Sequence, residues 1–97
     1  MSVPAPEYLR YQAAATFQAE LNELLLREEE WDGVLVTVVS VDTSRDNQYV
    51  TAKVSVLPVT HADAIIRRLK SHSKRLAFEL NKKLGHRRVP ELRFEAA

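Results

Sequence analysis

A run of basic side chains surrounds a break in an otherwise helical pattern of apolar residues. The run and its break consist of Arg67, Lys70, Ser71, His72, Ser73, Lys74 and Arg75. From Arg67 to Arg88 the only acidic residue is Glu79. Cations concentrated in this way attract anions and favour an acidic or nucleic-acid partner. A solvated helical face without a partner is the alternative.

A second group of cations follows about two helical turns later. It consists of Lys82, Lys83, His86, Arg87 and Arg88. Lys82 and Lys83 fall outside the apolar spacing, so we expect both on the solvent side of a helix. Favourable interaction with the helix C-terminus, about 0.3–1 kcal/mol each, is the alternative to a role in binding. We expect Arg87 and Arg88 in an exposed loop.

The residues that catalysis requires do not occur at useful spacings. No two of the three histidines have the His-x-x-x-His spacing of a helical metal site. The chain has no Gly-rich phosphate loop and no strand-to-helix nucleophile elbow, and its serines lack an activating base at motif spacing. We therefore predict a non-catalytic protein that uses no metal and no cofactor.

The net charge of +1 conceals two halves of opposite charge. Residues 1–60 contain four Lys/Arg and nine Asp/Glu, a net charge of −5. Residues 61–97 contain ten Lys/Arg and four Asp/Glu, a net charge of +6. This asymmetry again favours a nucleic-acid or acidic partner for the second half.

Length and composition predict one compact domain. The 97 residues suffice for a single core, and 45% of them are hydrophobic. There is no Cys, and the start of the sequence lacks the apolar run of a signal peptide. The longest uncharged apolar stretch, VLVTVVSV, is shorter than the roughly 18 residues of a membrane span. We expect a cytoplasmic protein that does not enter membranes.

The elements that position the basic residues begin with a helix and a β-hairpin. Helix spacing from Glu7 to about Glu29 is marked by Leu9, Ala13, Phe17, Leu21, Leu24 and Leu25, while residues 1–6 are expected to be disordered. Trp31 follows, and we expect it to be partly buried, with a surface for stacking as the alternative. VLVTVVSV predicts a central strand covered on both faces, and QYVTAKVSVL a second strand with one wetter face.

Two further helices and a strand complete the predicted order α-β-β-α-α-β. Thr60 is a candidate N-cap for the second helix, and Ser73 for the third. The apolar positions Ala62, Ile65, Ile66, Leu69, Leu76, Ala77, Leu80 and Leu84 stay in phase across the break, which favours two helices that meet at a kink. Gly85 is a helix stop, and ELRFE predicts a short final strand.

Two segments of the sequence resemble the ribosome-binding factor A family. VTVVSVDTSRDNQYVTAKVSVLP resembles the central hairpin of that family, in which a Ser-Arg-Asp turn joins two valine-rich strands, and RVPELRFE resembles its last strand. The resemblance implies an α+β, type II KH-like domain over residues 7–95, with helices on one face of a three-stranded mixed sheet. It also implies a monomeric assembly factor that binds free 30S subunits or their precursors through 16S-type rRNA and assists late 30S maturation and rRNA processing.

The resemblance also implies where RNA is bound. KH domains approach phosphates with a Gly-x-x-Gly loop between two helices, which this family replaces with a tight kink. The matching positions are His72, Ser73 and Lys74, and the usual Gly is missing. We therefore expect side chains rather than backbone amides to contact RNA, namely Arg67, Lys70, Ser71, His72, Ser73, Lys74, Arg75, Lys82, Lys83, Arg87 and Arg88. The alternative for Ser71 and Ser73 is that they only cap and kink the helices.

A second function class remains open from the sequence. A protein-interaction adaptor outside the ribosome could use its acidic and basic halves for two partners, and head-to-tail self-association is a variant of this hypothesis. Binding of double-stranded DNA ranks last, because no recognition helix is identifiable.

Overall fold

The computed structural model describes residues 7–28, 31–46, 48–85 and 91–97. The elements follow the predicted order, with one short 3₁₀ turn added. They are α1 (Glu7–Glu28), β1 (Leu35–Thr43), β2 (Tyr49–Leu57), the 3₁₀ turn Val59–His61, α2 (Ala62–Ser71), α3 (Ser73–Leu84) and β3 (Glu91–Ala96). Residues 1–6, predicted to be disordered, lie outside the described residues. None of the described helices has both the length and the hydropathy to cross a membrane.

The core lies between the helices and one face of the sheet. Phe17, Leu21, Leu24 and Leu25 of α1 are buried as their spacing predicts, while the side chains of Leu9 and Ala13 are outside the described ones. The apolar stripe of α2 and α3 is also buried, with Ala62 and Leu84 partly so. These residues form one cluster with alternate residues of the strands, which include Val54 and Phe94.

The sheet has the order β1-β2-β3, so the prediction that β1 is central was wrong. β1 pairs antiparallel with β2, and β3 pairs parallel with the other edge of β2. β1 is therefore an edge strand, and its burial alternates instead of covering both faces. A bulge lies between Val38 and Ser40, where Val39 has no partner on β2 and is 46% exposed. The extra residue shifts the buried positions from Val36 and Val38 to Val41.

Side-chain amides of α1 bind the outer edge of β1. The Oδ1 atom of Asn22 accepts a hydrogen bond of 2.8 Å from the Val38 amide, and Nδ2 donates one of 3.0 Å to the Val38 carbonyl. Nε2 of Gln18 donates a longer bond of 3.3 Å to the same carbonyl. Val38 would lack a partner on this side of an edge strand, so α1 replaces the missing strand at this one residue.

The predicted N-cap at Thr60 was wrong. Thr60 lies inside the 3₁₀ turn, and α2 begins one residue later, after His61, whose side chain makes no capping bond. The Ala62 amide, which a Thr60 cap could have bonded, donates to the Val59 carbonyl instead, so a backbone turn supplies the partner that a side-chain cap would have supplied.

Candidate nucleic-acid interface

The junction between α2 and α3 is a single residue, His72, which confirms the predicted break. The His72 amide donates to the carbonyls of Arg68 and Leu69, at 3.2 and 3.1 Å, and the His72 carbonyl accepts from the Leu76 amide at 2.9 Å. The N-cap of α3 is His72 and not Ser73, and no side chain caps the helix, so that prediction was wrong. With α2 ending directly beside α3, Ser73 is already inside the third helix.

Ser71 supports the end of α2 through its hydroxyl. This hydroxyl donates a hydrogen bond of 2.8 Å to the carbonyl of Arg68 three residues earlier. Such back-bonding is common for Ser in helices and occupies its single proton. Ser71 is exposed and its oxygen keeps acceptor capacity, while Ser73 and His72 are half-buried.

Basic side chains cover the outer surface on both sides of the junction. Arg67 and Lys70 are exposed on α2, away from the buried Ile66 and Leu69. Lys74 and Arg75 are exposed on the first turn of α3. These four cations, with Ser71, are thus exposed within five residues of His72 on either side of the junction. We call Arg67, Lys70, Ser71, Lys74 and Arg75 the junction cluster.

The two lysines near the end of α3 differ in their surroundings. Lys82 is exposed. Nζ of Lys83 lies 3.6 Å from Oε1 of Glu23 on α1 and 3.0 Å from Oε2 of Glu20. The Glu20 oxygen is buried and receives no aligned hydrogen bond from any described donor, so this contact is a pairing of charges. Lys83 is therefore a structural link to α1, whereas Lys82 faces solvent.

Some predicted site residues fall outside the described part of the chain. These are Arg87 and Arg88, and His86 lies outside it as well. Gly85 ends α3 in the left-handed conformation, with φ of 73°, as its position predicts. In the described parts of the chain, no three His, Asp or Glu side chains are grouped closely enough to hold a metal ion.

Arg68 is basic and adjacent to the junction cluster but contacts another part of the protein. Its guanidinium carbon lies 4.9 Å from the centre of the Trp31 ring, in a cation–π contact. Trp31 is half-buried and packs against the core, as expected from the sequence. This contact ties α2 to the turn between α1 and β1.

Phe78 was not identified from the sequence as a site residue. It is 57% exposed on the outer face of α3. The spacing did contain an indication, because Phe78 falls out of phase with the buried Leu76, Ala77 and Leu80. It is also four residues from both Lys74 and Lys82, so all three share one side of the helix.

Comparisons with known proteins identify one family. The sequence pattern of the ribosome-binding factor A family matches residues 10–96. Ribosome-binding factor A of Phenylobacterium zucineum (strain HLK1) is 33% identical over 91 residues, which is 93% of this chain and 59% of that relative. The chain therefore spans less than two thirds of the length of this curated relative.

Solved structures show the same fold. The crystal structure of ribosome-binding factor A from Thermus thermophilus has a TM-score of 0.77 and 24% identity, and the match covers 90% of this chain and 94% of that one. A homology model of the Thermus thermophilus factor, as fitted into the cryo-electron microscopy map of a 30S complex of that factor, has a TM-score of 0.70 and 26% identity, with 84% of this chain and 88% of that one covered.

These likenesses confirm the predicted fold class, an α+β, KH-like domain with a three-stranded mixed sheet. The family pattern extends from the first turn of α1 to the last residue of β3. The chain therefore belongs to the ribosome-binding factor A family.

Proposed function

We propose that the protein binds the small ribosomal subunit through 16S-type rRNA and assists late 30S maturation and rRNA processing. Family membership supports the proposal, as does the fit of a homology model of a 26% identical relative into the map of a 30S complex. The observation that carries it is the junction cluster, in which four exposed cations lie within five residues of His72, where α2 and α3 meet.

The proposed mode of binding is contact with phosphates. Lys and Arg side chains neutralise phosphate charge. Ser71, His72 and Ser73 lie between these cations in sequence, and Ser71 could bind a phosphate only by giving up its hydrogen bond to the Arg68 carbonyl. Lys82 extends the surface along α3, and Arg87 and Arg88 would extend it further. Lys83 would contribute mainly through its long-range charge, because it is paired with α1.

The protein acts in this proposal by binding alone, as a monomer in the cytoplasm, without catalysis or cofactor. Phosphate contacts release counterions, so affinity for RNA falls as salt rises. On single-stranded regions the logarithm of the affinity falls with the logarithm of the salt concentration, with a slope of roughly −0.7 for each phosphate neutralised.

Sedimentation of cell extracts tests the ribosomal part of the proposal. The protein is located by blotting across sucrose gradients run at low and at raised salt. We expect it to sediment with free small subunits at low salt and to leave them as salt rises. A protein that stays at the top of both gradients contradicts stable docking and favours the adaptor hypothesis. Sedimentation of the pure protein at rising concentration would then test head-to-tail association.

A paired set of substitutions tests the junction cluster. Lys74→Gln with Arg75→Gln removes one Lys and one Arg from the cluster, and Arg27→Gln with Lys53→Gln removes the same charges from exposed positions elsewhere. We expect the first pair to abolish most RNA binding and to flatten the salt slope by roughly 1.4, if each residue neutralises one phosphate. The control pair should bind nearly as well as the unmodified chain, since it leaves the cluster intact.

Thermal unfolding separates binding from folding in this experiment. Lys74 and Arg75 are exposed, so both double variants should unfold within a few degrees of the unmodified chain. Equal loss of RNA binding in the two double variants would show that net charge, and not this cluster, governs the interaction.

A further inference from the structure

We propose that Phe78 is a stacking platform for an unpaired RNA base, with the flanking cations holding the adjacent phosphates. This inference rests on the proposed RNA docking and specifies which part of the RNA is recognised. Phosphate contacts alone do not distinguish paired from unpaired RNA. An exposed aromatic ring among those contacts adds a preference for bases that are free to stack.

Phe78 is exposed, although α3 also has a buried face that holds apolar side chains. The inward face of α3 is filled by Leu76, Ala77, Leu80 and Asn81, and all four are buried. Phe78 is on the opposite face, with more than half of its surface open to water. Its ring therefore contributes little to the core and is available to a partner.

Cations lie on this face one turn before and one turn after the ring. Lys74 is four residues before Phe78, Arg75 is three before it, and Lys82 is four after it. Residues three and four apart are neighbours on a helix, with Cβ atoms about 5–6 Å apart. Glu79, the one acidic residue of α3, is half-buried. It is four residues from Arg75 and three from Lys82 and so neighbours both, whereas the line through Lys74, Phe78 and Lys82 itself carries no acidic residue.

The charges around Phe78 select an RNA base over an apolar protein surface. A stable protein interface needs a core of several apolar residues, and such cores are depleted in charge. The other large apolar residues that are exposed in the described chain lie on other elements: Leu26, Leu35, Val39, Leu57 and Val59. A single ring between lysines matches the arrangement of single-stranded nucleic-acid sites, where bases stack on aromatic groups and cations follow the backbone. Bases in duplex RNA are already stacked, so the partner is unpaired.

Binding to two strands of equal charge tests the proposal. One strand is a short oligouridine RNA, and the other has the same length and backbone but lacks bases at its central positions. Affinities are measured at fixed low salt by fluorescence anisotropy for the unmodified chain and for Phe78→Ala, Phe78→Leu and Phe78→Trp. We expect the unmodified chain to prefer the strand with bases.

The substitutions give distinct expected results. Stacking of one base contributes about 1–3 kcal/mol, so Phe78→Ala should weaken binding to the complete strand by about 5- to 140-fold. It should leave binding to the abasic strand and the salt slope unchanged. The affinity of Phe78→Leu for the complete strand should be as low as that of Phe78→Ala, because leucine keeps the apolar volume but has no flat ring on which a base can stack. Phe78→Trp should retain or improve the affinity.

Two results overturn the proposal, and they are distinguishable. Base stacking at Phe78 is wrong if Phe78→Ala binds the complete strand as tightly as the unmodified chain does. It is also wrong if the substitution lowers the affinity for both strands by the same factor. In either case the proposed RNA docking stands. If the unmodified chain binds neither strand nor 30S subunits, the proposed function has failed and the stacking role fails with it. Thermal unfolding of Phe78→Ala should match the unmodified chain, because the side chain is mostly exposed.

Discussion

Ser44 and Asp46 hold the hairpin turn through three side-chain hydrogen bonds. The Ser44 hydroxyl donates to Oδ1 of Asp46 at 2.7 Å and accepts from the Tyr49 amide at 3.0 Å. The same Oδ1 atom accepts from the Gln48 amide at 3.1 Å. Two residues of the Ser-Arg-Asp segment, Ser44 and Asp46, therefore have a structural role in closing the turn. Arg45 lies exposed between them.

The turn should become less stable at acid pH. The Ser44 hydroxyl, followed by the Gln48 amide, lowers the pKa of Asp46 from its ordinary value of 3.8. Because the folded pKa is the lower one, the stabilisation is fully present above about pH 4 and is lost as pH falls through the folded value. The unfolding free energy of the unmodified chain should thus exceed that of Asp46→Asn at pH 7, and the difference should shrink as pH falls below 3.8.

Denaturant titrations at several pH values measure this difference. Asp42→Asn, at an exposed position on β1 just before the turn, removes the same charge without removing the Asp46 bonds. A constant difference between the unmodified chain and Asp46→Asn from pH 7 to pH 3 would show that the carboxylate does not hold the turn.

At the scale of elements, sequence periodicity predicted each helix and strand but not the order of the strands. Alternation in β2 and the in-phase stripe of α2 and α3 depend on local spacing, so both could be predicted. The position of β1 depends on β3, which lies far away in sequence and pairs with β2 instead. The position of the bulge at Val39 could not be predicted either, because every residue of the valine-rich run of β1 has a similar preference for a strand.

The contact between α1 and the edge of β1 should contribute measurably to stability. Asn22→Ala removes both hydrogen bonds to Val38, a buried residue whose amide then lacks that partner. Leaving a buried backbone group unsatisfied costs about 1–3 kcal/mol, so the unfolding free energy should fall by that amount. Gln18→Ala removes one longer bond and should cost less. Equal losses in the two variants, measured by urea unfolding, would contradict this assignment.

At the scale of the whole molecule, the acidic and basic halves are not separate poles. α1 carries Glu20 and Glu23 to the side of α3, where they pair with Lys83. Local spacing predicts the same exposure for Lys82 and Lys83, since both fall outside the apolar stripe. Their difference arises only when α1 packs beside α3, which the spacing within one helix does not reveal. Phe78 differs from Lys83 in this respect, because its spacing within α3 already places it out of phase with the buried Leu76, Ala77 and Leu80.

The pairing of Lys83 predicts unequal effects of two adjacent substitutions. Lys82→Gln should weaken RNA binding with no loss of stability, since Lys82 is exposed. Lys83→Gln should lower the unfolding free energy by up to about 1 kcal/mol, because it removes a partly exposed ion pair. Its effect on RNA affinity should be the smaller of the two. Anisotropy and thermal unfolding of both variants check this, and a larger binding defect in Lys83→Gln would refute it.

The amides that α1 places on Val38 also affect how copies of the chain meet. An edge strand with a continuous row of unpaired backbone groups is a template for another strand, and this is a common start of aggregation. Here the row is interrupted at Val38 by Asn22 and Gln18, and directly afterwards by the bulge at Val39. A strand from a second molecule cannot pair along the full length of β1 without displacing α1. The helix that packs against the core thus also limits strand pairing at the β1 edge of the sheet.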